Sequence, residues 1–276
     1  MRTNLKTIIA GCFLILGILL GSVTVEADWE IGTKIGFDTN IDRAVDGGKS
    51  DQYLSAYLSF NREPTAESRI DWTVATMVEG TGYKKLSHLN YLSLTFAPGV
   101  VYIPHRLWSI TVSPFLQAKG VEDSDQSAIT FGGKIGLRQE PMNNFYLGEY
   151  YIYKDSIAKT DTYSFTEHAL GIYAGLNLTP SLFSEVGYEY SHGGSFRGTG
   201  SVMDFSGKGR HRRFSSAFEE YVVQDTVDRN AVGLNLGLDL SKSFSSLVGY
   251  TFTSMTGELG SSTAHSGFVG ICFRFR

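Results

Sequence analysis

Gly267-Phe268-Val269-Gly270-Ile271-Cys272-Phe273-Arg274-Phe275-Arg276 is the stretch on which the fold turns. Val269, Ile271, Phe273 and Phe275 fall on one side of a period of two, and Gly270, Cys272 and Arg274 fall on the other. That alternation belongs to a strand with one apolar and one polar face, whereas a helix needs apolar residues three and four apart. Phe268, Ile271, Phe273 and Phe275 are the residues expected to drive this strand into an apolar medium.

The same pattern recurs on working back towards the N-terminus. Trp29, Ile31, Thr33, Ile35 and Phe37 alternate with Glu30, Gly32, Lys34, Gly36 and Asp38. Further apolar faces follow about every twenty residues, among them Leu54 to Phe60, Ile70 to Val78, Tyr146, Tyr150 and Ile152, Leu170 to Leu178, and Val232 to Leu240. No charge is expected on any of them. The opposite faces collect Glu30, Lys34, Arg69, Asp71, Lys119, Lys134, Arg138, Glu149, Glu167, Glu185, Glu189, Asp239 and Arg274 among Gly, Ser, Thr and Asn. One face suits lipid and the other suits water.

A soluble sandwich also alternates, so alternation by itself leaves two architectures open. Two features favour a closed membrane barrel. Gaps between the alternating segments are mostly tight on one side (62–67, 97–106, 139–144, 179–181, 241–243) and mostly longer on the other (41–51, 80–87, 120–127, 154–162, 191–228, 253–265). Aromatic residues also gather near strand ends, as at Trp29, Phe60, Trp72, Phe96, Trp108 and Tyr146, the placement of an interfacial girdle.

With its terminal alternating strand closing on the penultimate aromatic Phe275, and with Gly36-Phe37-Asp38-Thr39-Asn40 similar to the first strand of several porin-like barrels, the chain resembles the outer-membrane β-barrel proteins of Gram-negative bacteria. The usual terminal aromatic is displaced by one residue, Arg276 coming last. The resemblance implies an all-β fold, a closed antiparallel transmembrane β-barrel with short periplasmic turns and long extracellular loops. It also implies outer-membrane lipid and lipopolysaccharide as surroundings and the barrel-assembly machinery as a partner during insertion. About twelve strands are expected, ten or fourteen also fitting, and twelve would enclose a backbone diameter of roughly 25 Å, wide enough that side chains alone need not fill it.

The N-terminal segment reads as an export signal. Arg2 and Lys6 precede an apolar run from Thr7 to Leu20, and Val25-Glu26-Ala27 offers small or apolar residues to a leader peptidase. The run is about 14 residues, against the roughly 20 that cross a bilayer as a helix. Residues 1–27 are therefore expected to be cleaved, leaving 28–276 as one barrel domain in the bacterial outer membrane. Ile9-Ala10-Gly11-Cys12 mimics a lipoprotein box, but the apolar run continues past Cys12, so lipidation there is not expected. Only Cys272 remains after cleavage, so no internal disulfide can form.

Composition excludes several classes. The chain of 276 residues has 42% hydrophobic and 19% charged residues, with 31 Gly, 18 Phe and 15 Tyr, and is neither disordered nor collagenous. Its formal net charge of −4 gives no reason to expect a nucleic-acid partner. No phosphate-binding Gly motif, haem motif or Cys/His cluster is present, so no cofactor and no metal are expected.

Enzymatic activity is not expected either. A His-x-Ser pair on one strand face would serve a membrane lipase, but the six histidines are followed two places on by Asn90, Leu107, Leu170, Gly194, Arg213 and Gly267. Asp123 and Asp125 form an acid pair, yet His211 sits among arginines, away from the partner an acid protease requires.

The most unusual stretch is 196–213, with Arg197, Lys208, Arg210, Arg212 and Arg213 as a candidate pore or loop basic cluster. It reads either as a solvated hairpin or as a loop over the pore that attracts anions. Acids at Glu122, Asp123 and Asp125, and at Asp38, Asp42, Asp46 and Asp51, read as solvated loop carboxylates or as a divalent-cation site. His168 is expected at the outer interface. The function expected is a porin-like passive channel for small hydrophilic solutes; the alternative is a non-conducting structural, adhesin or receptor barrel that binds a partner through its long loops.

Overall fold

The computed structural model describes residues 27–62, 64, 68–200 and 212–275. The expected leader therefore lies outside the described residues save for Ala27, and so do Lys208, Arg210 and His211. The strands are β1 (Ala27–Asp38), β2 (Asp51–Arg62), β3 (Ile70–Tyr83), β4 (Tyr91–His105), β5 (Trp108–Val121), β6 (Ala128–Met142) and β7 (Phe145–Ala158), followed by β8 (Phe165–Asn177), β9 (Leu182–Gly198), β10 (Arg212–Ser215), β11 (Glu220–Asp239), β12 (Phe244–Gly257) and β13 (Gly260–Phe275). Alternating β-branched, aromatic and small residues suit each to a pleated surface.

Every pairing is antiparallel, and the ring closes where β13 meets β1 from Trp29↔Phe275 to Asp38↔Ser266. β9 pairs directly with β11, from Val222↔Gly198 to Leu238↔Leu182, so the barrel wall has twelve strands. β10 stands outside that count. β12 ends at Gly257 opposite Val227, and β10 takes the edge of β11 above that point, from Arg212↔Val223 to Ser215↔Glu220.

The outer face is apolar and exposed, as with Ile35 at 66%, Leu170 at 58% and Val269 at 58% of full exposure. Such a band, with its backbone groups bonded in a closed ring, is stable only against lipid. Aromatic residues border it at both ends. Near the termini Trp29 meets Phe60 edge-on at 5.0 Å and Phe275 at 6.4 Å. Near the long loops Tyr151 bonds His168 (2.7 Å), Tyr250 bonds His265 (2.6 Å) and Tyr190 donates to Asp228 (2.6 Å).

Three expectations are corrected. The gap read at 97–106 falls inside β4, which runs on to His105 and leaves Arg106-Leu107 as the turn. The gap read at 253–265 is a two-residue turn, Glu258-Leu259, between strands that run on past their apolar segments. The face expected for β7 is inverted. Gly148, Tyr150 and Lys154 point inward, while Leu147, Glu149 and Tyr151 are exposed on the outside, so one carboxylate does stand on the apolar face. Both faces of β7 carry tyrosines, and hydrophobicity alone could not separate them.

Candidate functional site

Inside the ring, rings lie flat across glycines. Tyr57 directly opposes Gly32, Tyr53 opposes Gly36, Tyr150 opposes Gly171, Tyr146 opposes Gly175 and Tyr173 opposes Gly148. A methyl group on any of these glycines would overlap the facing ring. Phe183 on Gly237 and Phe268 on Gly249 repeat the arrangement. Glycine here supplies room for a close approach, and the aromatic side chain is pressed against the wall instead of reaching across the lumen.

Polar groups are organised around these tyrosines in repeated units of cation, ring and carboxylate. Lys34 lies 5.0 Å over the Tyr57 ring, whose hydroxyl donates to Glu30 (2.6 Å). Lys134 lies 4.8 Å over Tyr150, which donates to Glu189 (2.9 Å), and Arg138 lies 4.0 Å over Tyr146, which donates to Glu185 (2.9 Å). Lys119 lies 4.2 Å over Tyr91, which donates to Glu79 (3.3 Å). Each ring screens a cation with its face and satisfies an acid with its hydroxyl.

The remaining lumenal charges pair along the wall. Arg274 bonds Glu30 (2.9 Å) and approaches Asp239 (3.9 Å), Lys154 bonds Glu167 (2.6 Å), and Arg229 bonds Glu189 (2.8 Å). Below the long loops, no hydrogen bond or ion pair among the described residues joins strands more than two places apart around the ring.

At the long-loop end the mouth is covered. Residues 39–50 of the first loop turn inward, burying Asp42 and Ala44, and Phe218 descends from the loop after β10. Ile41, Leu86, Leu89, Tyr163, Phe196, Ala217, Phe218 and Val222 form an apolar cluster there. Arg197 ties this lid to the wall. It is fully buried and donates to the carbonyls of Arg43 (3.2 Å) and Gly260 (2.8 Å) and to Ser262 Oγ (3.0 Å), while pairing with Asp225 (3.4 Å). Lys49 Nζ adds a bond to the Phe218 carbonyl.

Beneath the lid is a cavity of about 280 Å³, lined by Arg43, Lys119 and Arg229, by Asp38, and by Tyr83, Tyr91, Phe196 and Phe218. Arg43 has φ of 57°, a left-handed conformation that a non-glycine residue adopts only when its surroundings hold it there. Burial pushes its guanidinium down to about 10, with the charge of Arg229 adding to the shift, so it stays protonated at neutral pH. Asp42 Oδ2 and Glu220 Oε1 are buried with no donor apart from each other. Burial, then the bond to Asp42 and its charge, pushes the Glu220 carboxyl up to about 7.

The sequence-derived residues therefore separate. Glu30, Lys34, Lys119, Lys134, Arg138, Glu167, Glu185, Glu189, Asp239 and Arg274 line the lumen. Arg69 lies exposed in the turn before β3, and Asp71 is held by Arg62 (3.2 Å) at that same rim. Glu149 faces outward. Phe268, grouped with the inserting residues, points inward, its ring 5.1 Å from Lys34 Nζ, while Ile271, Phe273 and Phe275 face outward.

The basic cluster is not one surface. Arg197 is buried in the wall, whereas Arg212 stacks on Tyr221 (3.8 Å) and Arg213 pairs with Asp125 of the loop between β5 and β6 (2.5 Å). The loop acids are engaged as well: Asp123 accepts the Asp125 amide, Asp51 the Lys85 and Leu86 amides, and Asp42 the Lys49 amide. Arg43, Arg229 and the lumenal tyrosines were missed. Extending the alternation of β11 upward from Val232 puts residue 229 on the wrong parity for lipid, and the same parity turns Tyr53, Tyr57, Tyr91 and Tyr173 inward; Arg43 carries no such signal.

A twelve-strand wall, lipid-facing outside and charged inside, decides the architecture. The fold is that of a bacterial outer-membrane β-barrel. Among solved structures, this barrel is similar to an outer membrane channel from Pseudomonas putida F1, with a TM-score of 0.62 at 8% identity over 92% of this chain and 97% of that one. It is also similar to the KdgM porin in complex with disordered oligogalacturonate, with a TM-score of 0.53 at 9% identity over 90% of this chain and 99% of that one. No protein-family model and no curated protein matches the sequence.

Proposed function

We propose that this barrel is a passive channel for small hydrophilic solutes, exported by cleavage after Ala27 and inserted into the outer membrane, rather than an enzyme. The observation that carries the reading is the run of flat tyrosines on glycines. A barrel that fills its interior interlocks side chains from opposite walls, whereas here each charged unit closes between strands at most two places apart, which favours a lumen left to water. That the two similar barrels are described as a channel and a porin, one of them holding an acidic oligosaccharide, supports the same reading. Lipid, lipopolysaccharide and the assembly machinery are its proposed surroundings and partners.

The test is single-channel recording of purified protein in a planar bilayer. Discrete conductance steps are expected, lower with the lid in place than after removal of residues 216–218. Absence of steps from both proteins would overturn the channel reading. N-terminal sequencing of the membrane-extracted protein should begin at Asp28.

A further inference from the structure

We propose that the cavity beneath the lid binds a small organic acid, its carboxylate between the Arg43 guanidinium and the Lys119 ammonium and its carbon skeleton against Phe196, Phe218 and Leu89. As a station for a permeating solute the site rests on the channel reading; as a binding site it stands on its own geometry.

The charge balance of the cavity wall is the first argument. Three cations line it against one acid, Asp38, which already accepts the Asn40 amide (2.8 Å). Arg229 is committed to Glu189 (2.8 Å) and Glu167 (3.5 Å). Neither Arg43 nor Lys119 forms an ion pair among the described residues. Arg43 donates only to Ser195 Oγ (2.6 Å) and stacks 4.8 Å from Phe196, and Lys119 rests on the face of Tyr91. Asp38 and Glu167 act on Arg43, and Glu79 on Lys119, only through space, so two cations held out of bulk water with no contact ion pair favour an anion that brings charge-assisted hydrogen bonds.

Backbone geometry is the second argument. Arg43 is held in the left-handed region, its carbonyl is fixed by Arg197, and its amide bonds the Asn40 carbonyl (3.2 Å). Such strain at a charged residue aimed into a cavity marks a position kept for a ligand. Size and lining choose the class. At about 280 Å³ the space is just below that of sites for drug-sized ligands, and Ile41, Val121 and Met255 join the aromatic rings in its wall. A bare inorganic ion would leave those apolar surfaces unused, and a neutral molecule would leave both cations unpaired.

Calorimetric titration of the full-length protein folded in detergent tests this, with benzoate as probe, benzyl alcohol as its uncharged counterpart and inorganic phosphate as the purely ionic one. Benzoate should bind saturably, benzyl alcohol and phosphate about tenfold more weakly or worse, and Lys119→Met should weaken benzoate about tenfold. Arg43→Gln serves as a second variant, with heat-modifiable migration showing that each variant is folded. Equal binding of benzyl alcohol or phosphate, or unchanged benzoate binding by both folded variants, would overturn the site. In planar bilayers, conductance without benzoate binding sinks the site and leaves the channel; benzoate binding without conductance sinks the channel and leaves the site.

Discussion

Tyr150 lies flat across Gly171 of the neighbouring strand and donates its hydroxyl to Glu189 one strand further on, 2.9 Å away. One ring thereby bridges three strands at the lumen surface without entering the lumen. Replacing Gly171 by Val should lift the ring off the wall. We expect a loss of about 1–3 kcal/mol in folding stability from overpacking and a smaller single-channel conductance. Tyr150→Phe should cost about 1 kcal/mol through the lost hydrogen bond and leave conductance nearly unchanged. Urea titration of folding into lipid vesicles, together with bilayer recording, reads both effects.

Neighbouring residues of β11 should respond oppositely to charge. Leu236 is exposed on the lipid face, and Asn235 lies on the lumenal face beside Gly249. Leu236→Arg should destabilise the inserted barrel by about 2–4 kcal/mol, and Asn235→Arg by clearly less. Equal losses in the same vesicle assay would contradict the face assignment.

Glu149 is a carboxylate on the lipid side, with Leu137 and Ile172 as its cross-strand neighbours. Glu149→Leu should stabilise the barrel by about 1–2 kcal/mol, since acids are tolerated there better than bases but still poorly. An unchanged or lowered stability would show that this carboxylate has a partner outside the chain.

The pair Asp42 and Glu220 makes lid closure sensitive to pH. Glu220 sits well above the lipid-facing band of β11, and in the closed lid its carboxyl is pushed from 4.5 to about 7, so the closed state holds the proton more tightly than an open one. Closure is therefore strongest below the ordinary value, weakens as pH rises, and levels off once pH passes about 7 and both states are ionised. Mean conductance should rise between pH 5 and pH 8, and Glu220→Gln should flatten that rise. A slope that persists in the variant would assign it to another group.

Period-two alternation was enough to specify strands, a polar interior and a lipid-facing exterior, because each inserted residue must face one solvent or the other and neighbours must differ. Ten of the thirteen charges assigned to the lumen from Glu30 onwards line it for that reason. Alternation failed where both faces were equally aromatic. In β7 the choice between Tyr146, Tyr150 and Leu147, Tyr151 depends on which strand partners bring glycines beneath the rings, a matter of register and not of hydrophobicity. The lid was equally illegible. Arg197 reads as one of five loop cations, yet the upward extension of β9 and β11 buries it among backbone carbonyls contributed by residues more than sixty places away. Arg43 shows nothing in its own segment that would turn it inward. Local sequence determines which face a side chain prefers, but cavities and buried cations arise where distant loops meet, and only the closed ring decides which loops those are.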